Sequence, residues 1–275
     1  MAKTHPQGVK KERITWHTAF FDAIRLELED YLPGLTFSFE LPLGAEPLRI
    51  DAVILKEPDL RIDKAIGWIF RRVNVIEYKS PEDTLTIGDF HKVAAYARLY
   101  LSQYDAAMTD IAISFIVSRR PRELLRELTA LEYGITQAYP GIYHIAGEKH
   151  IPVQIAVAPE LAEAEYLWLR SLTNKLNREG MGRIIREGGL RVKSPHIKVY
   201  LYQVFQANPE MLKELLIMER ATVDQILEEI GWSAERRAEG RTQGKKEERR
   251  SVLELINRGY TLEQLKQALT AEVTE

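Results

Sequence analysis

Residues 74–85 read NVIEYKSPEDTL, and the first half of that stretch decides the fold. With Val73 before it, the run to Lys79 is short, apolar and β-branched, the signature of a strand that enters a core. Yet it carries Glu77 and Lys79 two residues apart. In an extended chain residues i and i+2 share a face. Val75, Glu77 and Lys79 therefore point one way, and Asn74, Ile76 and Tyr78 point the other. A strand bound for a core has no obvious structural use for either charge.

The flanking sequence supplies the other elements. TWHTAFFDAIRLELEDYL, residues 15–32, places Phe20, Phe21, Ile24, Leu28 and Leu32 at helical spacing, and Pro33-Gly34 stops it. Strand-like runs follow at 35–43, 48–55 and 73–79, separated by Pro and Gly, with a mixed insertion around Trp68 and Phe70. A helix is predicted over 88–104, a fully buried strand over 111–117, and a second helix in PRELLRELTAL. GIYHIA and IPVQIAVA read as further strands, AEAEYLWLRSLTNKL as a helix, and the chain after Gly188-Gly189 as mostly helical. The order through residue 117 is α-β-β-β-α-β, which predicts an α/β sandwich with a central sheet between helices.

From about residue 206 the pattern changes. Amphipathic stretches at 212–230 and 252–268 flank AERRAEGRTQGKKEERR, where residues 235–250 hold seven Arg/Lys against four Glu. A solvated helix or linker is the plainer reading of that run. The predicted organisation is a domain over 1–208 and a helical, charged C-terminal extension over 209–275.

Composition sets the remaining bounds. The chain has 275 residues, 45% hydrophobic and 28% charged, enough for one large domain with an extension. A formal net charge of −2 argues against a protein that is basic throughout, though not against a local basic groove. The absence of cysteine excludes disulfides, thiolate metal sites and Cys nucleophiles. With no signal-peptide core and no membrane-spanning run, the expectation is a soluble, cytoplasmic protein with no membrane partner. The six histidines form no metal-ligand spacing, and His17 and His91 read as surface or satisfied side chains. GRTQGKKE lacks the spacing, the Ser/Thr and the preceding strand of a phosphate loop.

On the strand before 73–79, Asp51 stands in the apolar run LRIDAVIL. If these strands are neighbours, Asp51 and Glu77 converge with Lys79 beside them. Two adjacent carboxylates repel, and a hard divalent cation removes the repulsion. Mg²⁺ accepts one or two protein carboxylates and fills its shell with water and substrate phosphate. A lysine beside it orients the water or stabilises charge developing on phosphorus. Acid-x-Lys alone is weak, since a chain of this size holds about one by chance and this chain holds one. The combination with a mid-strand acid upstream, then helix and strand, carries more.

That combination resembles the PD-(D/E)XK nuclease superfamily, whose core is α-β-β-β-α-β, over about residues 13–120. The resemblance implies a restriction-endonuclease-like core and a Mg²⁺-dependent nuclease acting on DNA, with Mn²⁺ able to substitute. Asp51 and Glu77 then ligate the metal with the Tyr78 backbone carbonyl, and Lys79 assists catalysis. The wider layout looks like the recombination-promoting nuclease and transposase-like branch. Departures exist: no proline precedes Asp51, and Lys92 stands where many members carry Gln, although Tyr96 fits. Lys92 reads equally as a DNA-phosphate contact or as an exposed side chain. Many relatives carry an acid on the first helix, for which Glu27 is the candidate, with Glu29 and Glu40 as rivals and a solvent-facing Glu27 as the plainer reading. A catalytically silent nuclease-fold scaffold or nucleic-acid-binding protein, assembling as a homo-oligomer through its C-terminal helices, is the alternative.

Overall fold

The computed structural model describes residues 16–42, 49–104, 106–147, 151–191, 193–218 and 220–229. The chain divides into two compact units, 1–223 and 224–275, and the second contributes only the end of one helix to the described residues. The extension stretches at 235–250 and 252–268 lie outside them.

The first unit is built on a seven-stranded mixed sheet flanked by helices. In chain order it holds α1 (Trp16–Glu27), β1 (Leu35–Pro42), β2 (Arg49–Lys56), β3 (Val73–Lys79), α2 (Ile87–Tyr104), β4 (Ile111–Val117) and α3 (Arg122–Ala130). Then come β5 (Gly134–Tyr139), β6 (Ile142–Ala146), β7 (Val153–Val157), α4 (Leu167–Arg170), α5 (Arg178–Leu190), α6 (Pro195–Ala207) and α7 (Pro209–Met218). The final described helix is α8 (Arg220–Glu229). Strand order is β1-β2-β3-β4-β7-β6-β5. The pairs β1/β2, β2/β3, β6/β7 and β5/β6 are antiparallel, while β3/β4 and β4/β7 are parallel. The predicted α-β-β-β-α-β order through residue 117 is therefore observed.

Each face of the sheet has its own cover. On one face Val73, Val75, Ile113, Phe115, Val153 and Ile155 pack against Phe90, Val93 and Ala97 of α2 and Leu124 and Leu128 of α3. On the other, the Tyr78 ring stacks on Phe20 of α1, with ring centroids 4.5 Å apart and planes 2° from parallel. The central strands β3, β4 and β7 are buried almost end to end, as expected of strands covered on both faces. On the Phe20 face Gln154 donates to Ser114 Oγ and to the carbonyl of Ile66, each at 2.8 Å, while Tyr166 accepts the Ile66 N–H. Those bonds pin the short turn at Ala65–Gly67 across the sheet.

Three expectations need correction. The first helix ends at Glu27, and a 3₁₀ segment over Glu29–Gly34 completes the predicted span to Leu32. β5 was not expected: its residues are exposed or half-buried, so it lacks the apolar run that marks a strand. It is an edge strand, joined to β6 through a turn at Gly141, whose φ of +74° and close approach to the Glu160 carbonyl suit glycine alone. AEAEYLWLRSLTNKL forms only the single turn α4, because its apolar residues are buried irregularly and Asn208 takes the Leu176 N–H and Thr173 carbonyl.

Candidate functional site

Asp51, Glu77 and Lys79 meet where β2 begins and β3 ends. The register of β2 against β3 closes at Ala52↔Ile76, and beyond it the Tyr78 N–H donates to Asp51 Oδ2 at 3.0 Å. The Asp51 carboxylate thus takes a backbone donor at the point where the paired register stops. The neighbouring strand is irregular here too: its register against β2 skips Glu40, which has a φ of +49°. An irregular strand end re-aims side chains, and here it leaves the Asp51 carboxylate partly open, at 22% exposure.

Glu77 is buried, and its Oε1 lies 3.2 Å from Lys79 Nζ and 3.7 Å from Lys92 Nζ. Both lysines also reach Asp89 Oδ1, at 3.0 and 3.4 Å. Two carboxylates and two ammonium groups therefore alternate across the end of β3 and the start of α2. Asp89 is fixed independently. Its Oδ2 accepts from the Thr86 N–H and hydroxyl, and Thr86 Oγ1 accepts the Asp89 N–H, a reciprocal cap that starts the helix.

The electrostatics follow from burial and these neighbours. Burial, and then the Asp51 charge, push the Glu77 carboxyl above its usual range, against the pull of Lys79 and Lys92. Burial pulls on the Lys79 ammonium, but Glu77 and Asp89 outweigh it and leave its pKa raised. Burial also works against the Asp89 carboxylate, yet Thr86 and Lys79 bring it down to about 2. On the α1 side, His17 Nε2 lies 3.4 Å from Asp51 Oδ2 and its ring meets Tyr78 edge-on. The hydrogen bond to Asp51 raises the His17 pKa in spite of burial.

The predicted residues divide accordingly. Asp51, Glu77, Lys79 and Lys92 come together. Tyr78 contributes its N–H to Asp51, while its ring is buried against Phe20 and its hydroxyl lies 3.3 Å from Ser118 Oγ. Tyr96 is buried in the core beneath α2. Glu27 is neither solvent-facing nor in the cluster. It lies ten residues beyond His17 on the same helix, about 15 Å along its axis, and is 2% exposed. There its Oε2 meets Lys64 Nζ at 2.7 Å, and Oε1 accepts the N–H groups of Trp168 and Leu169. Glu29 pairs with Arg191, and Glu40 is exposed.

Sequence reading missed Asp89 and set His17 aside. Thr86-x-x-Asp89 before an apolar periodic run was a legible capping signal, though Asp replaces the usual Glu or Gln. Nothing in the sequence placed His17 against Asp51, because that contact joins α1 to β2 across the fold.

The donor set suits a hard divalent ion: two carboxylates side by side, one of them held above its usual range partly by the other's charge. Among the described residues no group of three or more His, Asp or Glu is placed to hold a metal ion, so the protein would offer two carboxylates at most. Among the same residues, no helix is long and apolar enough to cross a membrane. Comparison with family models, curated proteins and solved structures yields no match for this chain.

Proposed function

We propose that this chain is a divalent-cation-dependent nuclease that hydrolyses DNA phosphodiester bonds from a restriction-endonuclease-like core. The observation that carries this reading is the convergence of Asp51, Glu77 and Lys79 at the ends of adjacent strands within an α-β-β-β-α-β order. Asp51 and Glu77 would hold Mg²⁺, or Mn²⁺ in its place. When bound, the ion polarises the phosphodiester and makes its water a better nucleophile near neutral pH.

The chain's own groups do the rest. Lys79 is oriented by Glu77 and Asp89 before substrate arrives, so its ammonium stabilises charge developing on the phosphoryl oxygens with little reorganisation. Lys92, at 43% exposure, reaches outward from the same carboxylates and suits a neighbouring backbone phosphate. Tyr78 orients Asp51 through its N–H and anchors β3 through its stacked ring. A role in transposition or recombination, with self-association through the C-terminal helices, fits the same chemistry.

One observation favours a silent scaffold instead: Glu77 already has two lysines as counter-ions. In that reading the cluster is a structural ion-pair network. Conversion of supercoiled plasmid to nicked and linear forms separates the two. The nuclease reading expects conversion in Mg²⁺ or Mn²⁺ and none in EDTA. Intact plasmid in all three conditions, with linear and single-stranded DNA equally intact, favours the scaffold.

A further inference from the structure

The parallel strands β3, β4 and β7 end on one rim of the sheet, and a second feature opens at the segments that follow β3 and β4 there. It is a cleft of about 520 Å³ whose lining begins at Pro81, two residues past Lys79, and at Ser118, immediately after β4. Its far wall comes from the segment 159–183, outside the α-β-β-β-α-β unit. Crevices beyond the carboxyl ends of parallel strands are where open α/β sheets receive ligands.

The charge in this cleft is lopsided. Arg119, Arg170, Lys175 and Arg183 line it against one carboxylate, Glu163. Arg183 and Arg170 both turn to Glu163, and Arg170 also donates to the carbonyls of Pro159 and Leu161. Those two guanidiniums are therefore fixed before any ligand arrives. Among the described residues Arg119 donates to a neutral acceptor, the Asp83 carbonyl, and that bond ties it to the loop following Lys79. Among the described residues no carboxylate pairs with Arg119 or Lys175, and both are exposed. Asp83, whose carbonyl takes that bond, has its carboxylate occupied by the Ser80 hydroxyl at 2.6 Å. Two fixed and two uncompensated cations around one acid favour a ligand carrying several negative charges along its length. Asn174 and Thr173 add neutral polar groups at the same wall.

We propose that this cleft seats the phosphodiester backbone of a nucleic-acid strand whose reacting phosphate lies at the Asp51–Glu77 cluster. The assignment rests on the nuclease reading for the reacting phosphate, and on the cleft alone for the backbone contacts. Arg119 is the bridge between the two, since it lines the cleft and holds the loop that follows Lys79.

The test is fluorescence anisotropy of the full chain with a labelled 20-nucleotide oligothymidine in EDTA, so that no cleavage consumes the probe. Arg119→Gln/Lys175→Gln is compared with wild type and with Lys213→Gln, an exposed cation on α7 paired with Glu210. The double variant should lose about tenfold in affinity, and its slope of log K against log salt should fall by roughly one to two phosphate contacts. Lys213→Gln should bind like wild type. Unchanged affinity and slope in the double variant, or an equal loss in Lys213→Gln, overturns the proposal. So does equally tight binding of a labelled polyglutamate, or displacement of the oligonucleotide by thymidine monophosphate at matched phosphate concentration. A cleavage assay keeps the two readings apart: strand binding without cleavage by wild type retains the cleft and sinks the nuclease. Cleavage undiminished in the double variant does the reverse.

Discussion

Lys79 Nζ lies 3.0 Å from Asp89 Oδ1, an ion pair that joins the end of β3 to the first turn of α2. Asp89 is itself tied to Thr86, so the lysine is aimed by a helix cap as well as by Glu77 of its own strand. This arrangement makes the orientation of the ammonium depend on a residue that need not touch substrate.

Asp89→Asn should keep part of the cap while removing the charge opposite Lys79. The expected cost is about 0.5–2 kcal/mol of stability, the range of a weakened cap. The pH dependence has a definite sign. The Asp89 carboxyl is lowered to about 2, so its ionised form is favoured by folding. That contribution is present above its ordinary value of 3.8 and is lost as pH falls through the window down to about 2. Urea midpoints measured across that window should decline less in Asp89→Asn than in wild type.

Lys79→Ala removes the group proposed to meet developing charge. Cleavage should slow by roughly 10²–10³, equivalent to about 2.7–4 kcal/mol, as for other preorganised donors. The fold should survive, since β3 remains paired with β2 and β4 and covered on both faces. Single-turnover rates of plasmid nicking check this, and a folded variant that cuts like wild type removes Lys79 from the mechanism.

Glu27 makes the opposite prediction. It is buried beside Lys64 and two backbone N–H groups, and burial raises its pKa despite those partners. Glu27→Ala leaves the donors without an acceptor and should cost about 2–4 kcal/mol in chemical denaturation. Glu27→Gln should cost less. Neither should alter divalent-cation affinity, because Glu27 sits far along α1 from the cluster. A folded Glu27→Gln that loses cation binding would restore it as a site acid.

Chain ends test the domain organisation. Asn208 is buried, and its side chain bonds Leu176, Thr173 and Val204, while Leu212 and Leu215 of α7 are buried beyond it. A chain ending at Val223 should therefore unfold with a midpoint near that of the full chain. One ending at Asn208 should unfold at lower urea concentration, because it loses the α7 cover of α5 and α6. Equal midpoints for both would place the end of the stable unit at residue 208.

The central strands and the flanking helices α2 and α3 were legible because burial on both faces, or on one stripe, writes a strong pattern. Ile111–Val117 shows this at its full length, and Val73–Lys79 up to Tyr78. Asp51, Glu77 and Lys79 were legible because charged residues inside such runs conflict with burial. What could not be read depended on distant packing. Glu27 looked like any helix-surface acid until α4 and Lys64 closed over it. α5 runs through Gly188, whose missing Cβ gives Leu201 of α6 room to approach, so a local helix breaker serves a long-range contact. The cleft wall at 159–183 folds around the buried Tyr166, Trp168 and Leu169, with little periodicity to announce it.

If Asp51 and Glu77 form a divalent-cation site, calorimetric titration of Mg²⁺ should detect it. Wild type should bind the ion, while Asp51→Asn and Glu77→Gln should each weaken binding by about tenfold or more, as loss of a carboxylate ligand demands. Burial and the neighbouring Asp51 charge raise the Glu77 carboxyl, so its ionised form opposes folding once pH exceeds its ordinary value of 4.5. Glu77→Gln without metal should therefore be no less stable than wild type at pH 7, and a urea midpoint at or above that of wild type would exclude misfolding as the cause of lost binding. Mg²⁺ affinity unchanged in both folded variants would mean that Asp51 and Glu77 are not its ligands and would move the cation away from these strands.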